Sequence, residues 1–320
     1  MMNRMRKTIT VILALLSATT ACCHTARQPD TPNDTTRVRT ERQKELPLPE
    51  VPDTLTAPED RSAHIALHLW DTMDFADTTL LRDAGFMEQN FANFISILPY
   101  STWQGIETAV KTLMARAQSS KEAYRNISDM AEKYLYDPNS PMLNEELYIT
   151  FLEEIMRSPL LDDTEKTKPA FALKAAKKNR LGTVAADFEY TDRHGRRRSL
   201  HGTKAETTVL VFYDPDCGHC TEIMKELKDD AALRKATQEN RVTVLAIYSD
   251  GDRKLWDETK DSLPAEWLAG FDISDIQRRG TYILRAMPTI YMLDSSKTVL
   301  AKDVMPTFIH AALSGNTTQQ

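Results

Sequence analysis

The sequence predicts an α/β domain, a mixed sheet flanked by helices, preceded by a separate all-α domain. Three observations carry this. From about 61 to 180 apolar residues recur at spacings of three and four, the period of helices that bury one face. From about 181 the pattern changes to short apolar and β-branched runs, chiefly 207–213 and 242–248, separated by helical stretches. Directly behind the first run stands Asp216-Cys217-Gly218-His219-Cys220, which holds the only two cysteines beyond residue 23.

The first 21 residues read as a signal peptide. Arg4, Arg6 and Lys7 form a basic start, and 9–18 is an apolar segment too short to span a bilayer. It ends in Thr19-Thr20-Ala21-Cys22, which resembles a bacterial lipobox except that Thr19 stands where Leu is usual. Cys22 is then the lipid-modified residue, with Cys23 beside it as a competitor. Residues 22–60 are expected to be lipid anchor and disordered tether: six prolines among Thr, Asp and Glu leave little to bury. No acidic run follows Cys22, which favours an anchor facing the periplasm. The expected location is therefore the cell envelope of a Gram-negative bacterium.

The chain carries a formal net charge of −6, and its leader contributes only positive charges, so the exported body is more acidic still. No basic stripe with interleaved aromatics is present, which argues against nucleic acid as a partner. The one basic cluster, Arg193, Arg196, Arg197 and Arg198, reads best as a solvated hairpin tip.

Within 61–180, apolar sets such as Met87, Phe91, Phe94, Ile95 and Leu98 predict four to six packed helices. Ser119 with Glu122 fits a capping box, Ser140-Pro141 an N-cap and first helical residue, and Pro169 the opening of a further helix. Gly182 behind Lys174, Lys177, Lys178 and Arg180 reads as a helix stop. Nothing here forms a metal or catalytic set; His64 and His68 share a face without a third ligand. A brace or dimerisation surface is the expected role.

Within 181–320 the expected order is a hairpin turning at His194-Gly195, strand 207–213, a helix to about 236, strand 242–248, a helix over 253–262, a hairpin across 294–297 and a closing helix near 307–313. Strand 242–248 is apolar almost throughout, as when both sheet faces are covered. Cys-x-x-C at a strand-to-helix junction is the arithmetic of a redox pair, not of a disulfide scaffold or a four-ligand zinc site.

The order of elements, Cys217-Gly218-His219-Cys220 after the central strand, Met287-Pro288-Thr289 entering the next, and the runs 267–272 and 282–289 together resemble the thioredoxin fold in its TlpA/ResA-like form, as found in thioredoxin-like lipoproteins of Bacteroidetes type. Those lipoproteins often carry an N-terminal helical domain of unassigned function. The resemblance implies an exported thiol–disulfide oxidoreductase with no cofactor and no metal. Its partners would be protein thiols and disulfides and a membrane or periplasmic electron-transfer partner. It also implies that Pro288 is cis and that the main chain of Met287 pairs with an extended substrate beside the sulfurs. Typical thioredoxins bury a carboxylate six residues before the first cysteine; here that position is Val211.

Cys217 is the expected nucleophile, because only thiolate attacks a disulfide and a helix N-terminus favours thiolate. Cys220, one step into the helix, is the resolving thiol. His219, if protonated, adds a stabilising charge, while Asp214 and Asp216 oppose it. Gly218-His219 matches the dipeptide of protein disulfide isomerases and leans toward a more oxidising pair. Tyr213 and Pro215 are expected to wall the site, and Trp267 to belong to the core. Two other readings remain: a non-catalytic peptide- or partner-binding lipoprotein, and a copper metallochaperone using both thiolates and a histidine.

Overall fold

The computed structural model describes residues 45–315; the expected signal peptide and the lipidation site Cys22 lie outside them. Among the described residues no helix is long and apolar enough to cross a membrane. The last part of the expected tether is ordered. Leu46 N–H donates to Asn90 Oδ1 at 2.7 Å and Leu46 packs on the helical core. His64 Nε2 lies 3.0 Å from Glu50 O, and α1 (Pro58–His68) starts before residue 61. The expectation of disorder to residue 60 fails here because Leu46 packs on the helical core and the main chain at Leu46 and Glu50 bonds side chains of the helices.

The helical domain contains α1, a single turn α2 (Thr78–Leu81), α3 (Ala84–Ile97), α4 (Trp103–Ala117), α5 (Lys121–Leu135), α6 (Glu145–Arg157) and α7 (Asp163–Ala176). One core joins them, with Trp70, Phe91, Phe94, Val110, Tyr124, Ile127, Phe151 and Leu152 all buried. Side-chain caps set the starts of α2 to α7, and three starts differ from expectation. Ser120, not Ser119, caps α5: its Oγ accepts from Ala123 N at 3.3 Å, while Ser119 N–H still bonds back to Arg116 O in the preceding turn. Ser140 stays in a turn, donating to Tyr134 O, and α6 waits for Asn144 Oδ1 to accept from Leu147 N at 3.0 Å. Pro169 lies inside α7, which opens earlier at a reciprocal capping box between Asp162 and Glu165.

Beyond α7 the chain runs along the sheet edge. Asn179 and Gly182 take positive φ, of 49° and 74°, to turn it. Gly182 N–H then bonds Val299 O and Ala185 N–H bonds Lys297 O. The second domain comprises β1 (Glu189–Asp192), β2 (Arg197–Ser199), β3 (Thr207–Tyr213), α8 (Gly218–Asp229), α9 (Ala231–Gln238), β4 (Val242–Tyr248), α10 (Arg253–Thr259), β5 (Leu268–Asp272), β6 (Thr289–Leu293), β7 (Val299–Lys302) and α11 (Pro306–Leu313). The sheet order is β2-β1-β5-β4-β3-β6-β7, with β3, β4 and β5 parallel to one another and the outer pairings antiparallel. The fold is thus a mixed sheet flanked by helices behind a helical domain.

Period two explains both faces. Val209, Val211 and Tyr213 of β3 point with Val244, Ala246 and Tyr248 of β4 into a core shared with α8, α9 and α11. Leu210, Phe212, Leu245 and Ile247 point the other way, onto Phe188, Tyr282 and Tyr291. Strand β5 was not expected, because Leu268-Ala269-Gly270-Phe271-Asp272 is short and holds a glycine. Gly270 is required by close approach: a Cβ there would fall on the Tyr190 ring and 2.7 Å from Ile247 Cδ1. The expected single helix to 236 is two, because Asp230 Oδ1 caps Leu233 N at 2.7 Å and starts α9 afresh. The basic cluster is neutralised locally: Arg196 and Arg198 meet Asp192, Arg197 meets Glu189, and Arg193 donates to the carbonyls of Pro264 and Trp267.

Candidate active site

Cys217 is the N-cap of α8. Its extended backbone (φ −87°, ψ 119°) turns the sulfur back over the first turn, where Sγ accepts from Cys220 N–H at 3.3 Å. That donor and the helix end both face this sulfur. Cys217 is half-buried, Cys220 is 1% exposed, and no disulfide joins them in this structure. Burial pushes the Cys220 thiol up to about 12, with the neighbouring Cys217 sulfur and the Asp214 charge adding to it. The Asp214 backbone N–H, 3.5 Å from Cys220 Sγ, works against that rise without overcoming it. One sulfur is therefore presented at the surface and the other is held protonated beneath it.

The turn ahead of α8 is built by Asp214. Its Oδ1 accepts from Asp216 N–H at 3.0 Å and its carbonyl from Cys217 N–H at 3.2 Å. The acid treated in the sequence as a charge opposing thiolate is thus also the residue that shapes the junction. Asp216 is exposed and Pro215 half-buried beside it. Gly218 is exposed with open space where a Cβ would stand, so no steric demand requires glycine; its absence of side chain leaves Cys217 uncovered. His219 is exposed and its Nδ1 lies 3.9 Å from Glu222 Oε2, one helical turn on, so its nearest charged partner is a carboxylate.

Tyr213 departs from expectation. It does not wall the site: it is 4% exposed, and strand alternation points it under α8 into the same core as Cys220. Its buried hydroxyl has no hydrogen-bond partner, and burial raises its pKa well above that of a free phenol. Val211 is fully buried on this same face, so no carboxylate occupies the position six residues before Cys217. Trp267 is buried, as expected of a core residue.

Opposite the cysteines stands an irregular loop over 280–288. The Met287–Pro288 peptide bond is cis, and Met287 O lies 3.9 Å from Cys217 Sγ. Met287 is half-buried and touches the cores on both sides of the sheet. Thr289 Oγ1 donates to Ala286 O at 2.7 Å, which fixes the turn into β6. The structure thus brings together Cys217, Cys220, Asp214, Pro215, Met287 and Pro288, and leaves His219 on the outer face of α8. His310 faces Asp230 at 2.7 Å and not the sulfurs. Among the described residues no group of three or more His, Cys, Asp or Glu side chains is arranged to hold a metal ion.

The sequence reading missed the side chains that hold this loop. Arg285, two residues before Met287, is buried between Asp303 (Nη2 to Oδ2, 2.7 Å) and Glu145 of α6 (Nη1 to Oε1, 3.1 Å). The second contact is off the hydrogen-bond direction, since Nη1 is left without a bonded acceptor, and acts as a charge contact. The guanidinium also lies 4.0 Å from the centre of the Tyr136 ring. Lys302 pairs with the other oxygen of Glu145. No spacing rule joins residues 136, 145, 285 and 303, so no local signal marks them.

No curated protein matches this chain. Residues 21–179 match the family described as Domain of unknown function (DUF5106), and residues 181–301 the AhpC/TSA family. The crystal structure of a thioredoxin-like protein from Bacteroides caccae is 36% identical, with a TM-score of 0.80 over 85% of this chain and 99% of that one. The C-terminal domain of an uncharacterized protein from Bacteroides fragilis is 36% identical over 42% of this chain and 98% of its own length, with a TM-score of 0.42. A domain of a possible thiol-disulfide isomerase from Cytophaga hutchinsonii is 26% identical over 43% and 94% respectively, with a TM-score of 0.37. Similarity along nearly the whole of the Bacteroides caccae chain, through both domains, places this chain in the family of thioredoxin-like proteins that set a DUF5106 domain before a thioredoxin-like domain of AhpC/TSA type.

Proposed function

We propose that this protein is an exported thiol–disulfide oxidoreductase that exchanges its Cys217–Cys220 dithiol with disulfides of protein substrates in the cell envelope. The observation that carries the reading is the asymmetry of the pair: Cys217 Sγ caps α8 at the surface, while Cys220 is buried and held as a thiol. In the reducing direction the Cys217 thiolate attacks one substrate sulfur. The substrate S–S bond breaks, a mixed disulfide forms, and the departing sulfur takes a proton from water. Cys220 then gives up its proton and attacks Cys217 Sγ. The intramolecular disulfide forms, the second substrate thiol leaves, and two electrons have passed to the substrate. A dithiol partner at the membrane or in the periplasm restores the reduced pair.

Met287 and Pro288 supply the edge along which an extended substrate lies, with Pro215 at the rim. With Val211 in place of a buried carboxylate, the proton leaving Cys220 passes to water. Anchoring through Cys22 would hold this chemistry at a periplasm-facing membrane surface.

The test is a pair of variants assayed for insulin reduction with dithiothreitol. Cys217→Ser abolishes activity, whereas Cys220→Ser accumulates mixed disulfides visible on non-reducing gels. Equal residual activity in both removes the assignment. Labelled palmitate should enter the wild-type chain and not Cys22→Ser; retention of label points to Cys23.

A further inference from the structure

We infer that the helical domain is a positioning element of the redox site: it grips the loop that presents Met287 to Cys217, and so sets how a peptide disulfide docks. The inference rests on the proposed exchange at Cys217 and extends it to the substrate side.

The loop over 281–288 forms no helix or strand of its own. One end is held from the helical domain, the other from both domains. At the start, Lys178 Nζ donates to Gly280 O and Asn179 Nδ2 donates to Thr281 O at 3.0 Å, both from the stretch just behind α7. Near the other end, Arg285 reaches across to α6. Its guanidinium lies over the Tyr136 ring and beside Glu145, and binds Asp303 next to β7. Arg285 and Glu145 are 13% and 12% exposed, and Lys302, which shares Glu145, is 8% exposed. A desolvated charge pair keeps its geometry more strictly than a surface one, because leaving a charge buried and unpaired is costly.

One residue, Ala286, separates Arg285 from Met287, whose carbonyl faces Cys217 Sγ. Thr289 Oγ1 ties Ala286 to the start of β6, so the segment that carries Met287 is held between that bond and the Arg285 anchor. Glu145 and Tyr136 touch neither sulfur, so they are positioning residues. Small disulfides need only reach Cys217. A peptide disulfide must also lie along the Met287 main chain.

The test uses the full chain with Glu145→Gln, which keeps the side chain's shape and removes its charge, and Tyr136→Leu, which removes the ring under Arg285. Rates are measured with a cystine-bridged peptide and with hydroxyethyl disulfide. The expected result is a fall in kcat/KM for the peptide of about fivefold to tenfold, mostly in KM, with the small disulfide within about twofold. A second readout does not depend on turnover: the 13C-methyl resonance of Met287 shifts or broadens, and amides of 284–287 exchange faster. An equal fall for both substrates, or an unmoved Met287 resonance with unchanged exchange, overturns the inference. If the wild type reacts no faster than Cys217→Ser with either disulfide, the redox reading fails, and the Met287 resonance alone then decides the positioning.

Discussion

On one side of the candidate site, Cys217 and Cys220 are held by bonds that stay within residues 214–221. Asp214 shapes the turn, Cys217 Sγ caps Cys220 N–H, and Thr221 Oγ1 returns to Cys217 O at 3.2 Å. On the other side, Met287 stands on a loop held by Lys178, Asn179, Tyr136, Glu145 and Asp303, residues from most of the chain. The first side is a cap motif and keeps its geometry wherever a strand runs into a helix. The second has no such autonomy, so changes in the helical domain reach it. The difference separates two properties that a redox protein must set: the reactivity of its sulfur, and the substrate it accepts.

The largest expected effect lies on the local side. With its thiol pushed up to about 12, Cys220 has roughly a thousandfold less thiolate at neutral pH than a free cysteine. Iodoacetamide should therefore label native reduced protein at Cys217 and spare Cys220 until denaturant is added. Because the folded pKa is raised, Cys220 labelling should climb with pH well past neutrality, about tenfold per unit, while the fold holds. Mass spectrometry of tryptic fragments reads both sites. Comparable labelling of the two thiols at pH 8 would break the asymmetry on which the comparison rests.

Next in size is Arg285→Ala, on the non-local side. It leaves Glu145 with Lys302 alone and the half-buried Asp303 without its guanidinium, and breaking such a pair costs roughly 3 kcal/mol. Urea unfolding of the full chain measures the loss. The rate of Cys217 alkylation should stay within about twofold, because no bond of the cap motif involves Arg285. A large change in that rate would mean that the two sides are one unit.

What could be read in the sequence follows the same division. The strand at 207–213, the cap at Cys217 and the place of Cys220 in the first turn of α8 are local patterns, and a period of two or a spacing of three reveals them. Strand β5 was illegible because its partner Tyr190 is 80 residues away and it is the ring of Tyr190 that requires Gly270. Tyr213 was misplaced since alternation tells which residues share a face, not which face lies under the helix. In the helical domain the apolar spacing gave the helices, but the starts of α6 and α7 were misread. Prolines are conspicuous in a sequence, whereas Asn144 and Asp162 declare themselves as caps only when their oxygens meet Leu147 and Glu165 N–H. The Arg285 cluster is the extreme case, four residues with no spacing in common.

A smaller effect is expected from Asp214→Asn. The amide oxygen can still accept from Asp216 N–H, so the turn persists, but the charge that helps raise the Cys220 pKa is gone. The sign follows: Cys220 ionises more readily, and the Cys220 labelling rate at pH 9 rises a few-fold. In the reductase assay, turnover rises if resolution by Cys220 limits it. A fall in Cys220 labelling would instead mean that Asn has reshaped the turn.

The smallest effect should come from His219, the residue to which the sequence assigned a tuning charge. A protonated imidazole beside Cys217 would stabilise the thiolate, and stabilising the reduced form makes a pair more oxidising. The structure weakens the premise. His219 is exposed, water screens it, and the carboxylate of Glu222 stands 3.9 Å from its Nδ1. Exposed charges of this kind contribute little, so His219→Ala should lower the potential by no more than about 20 mV. Glu222→Gln should change it by a similar or smaller amount. The two together should leave the potential near that of His219→Ala alone, since Glu222 acts on the site chiefly through the imidazole. Equilibration with glutathione buffers measures all three. A drop well beyond 20 mV in His219→Ala would put the histidine back at the sulfur, and the local side of the site would then depend on a side-chain charge as well as on the helix cap.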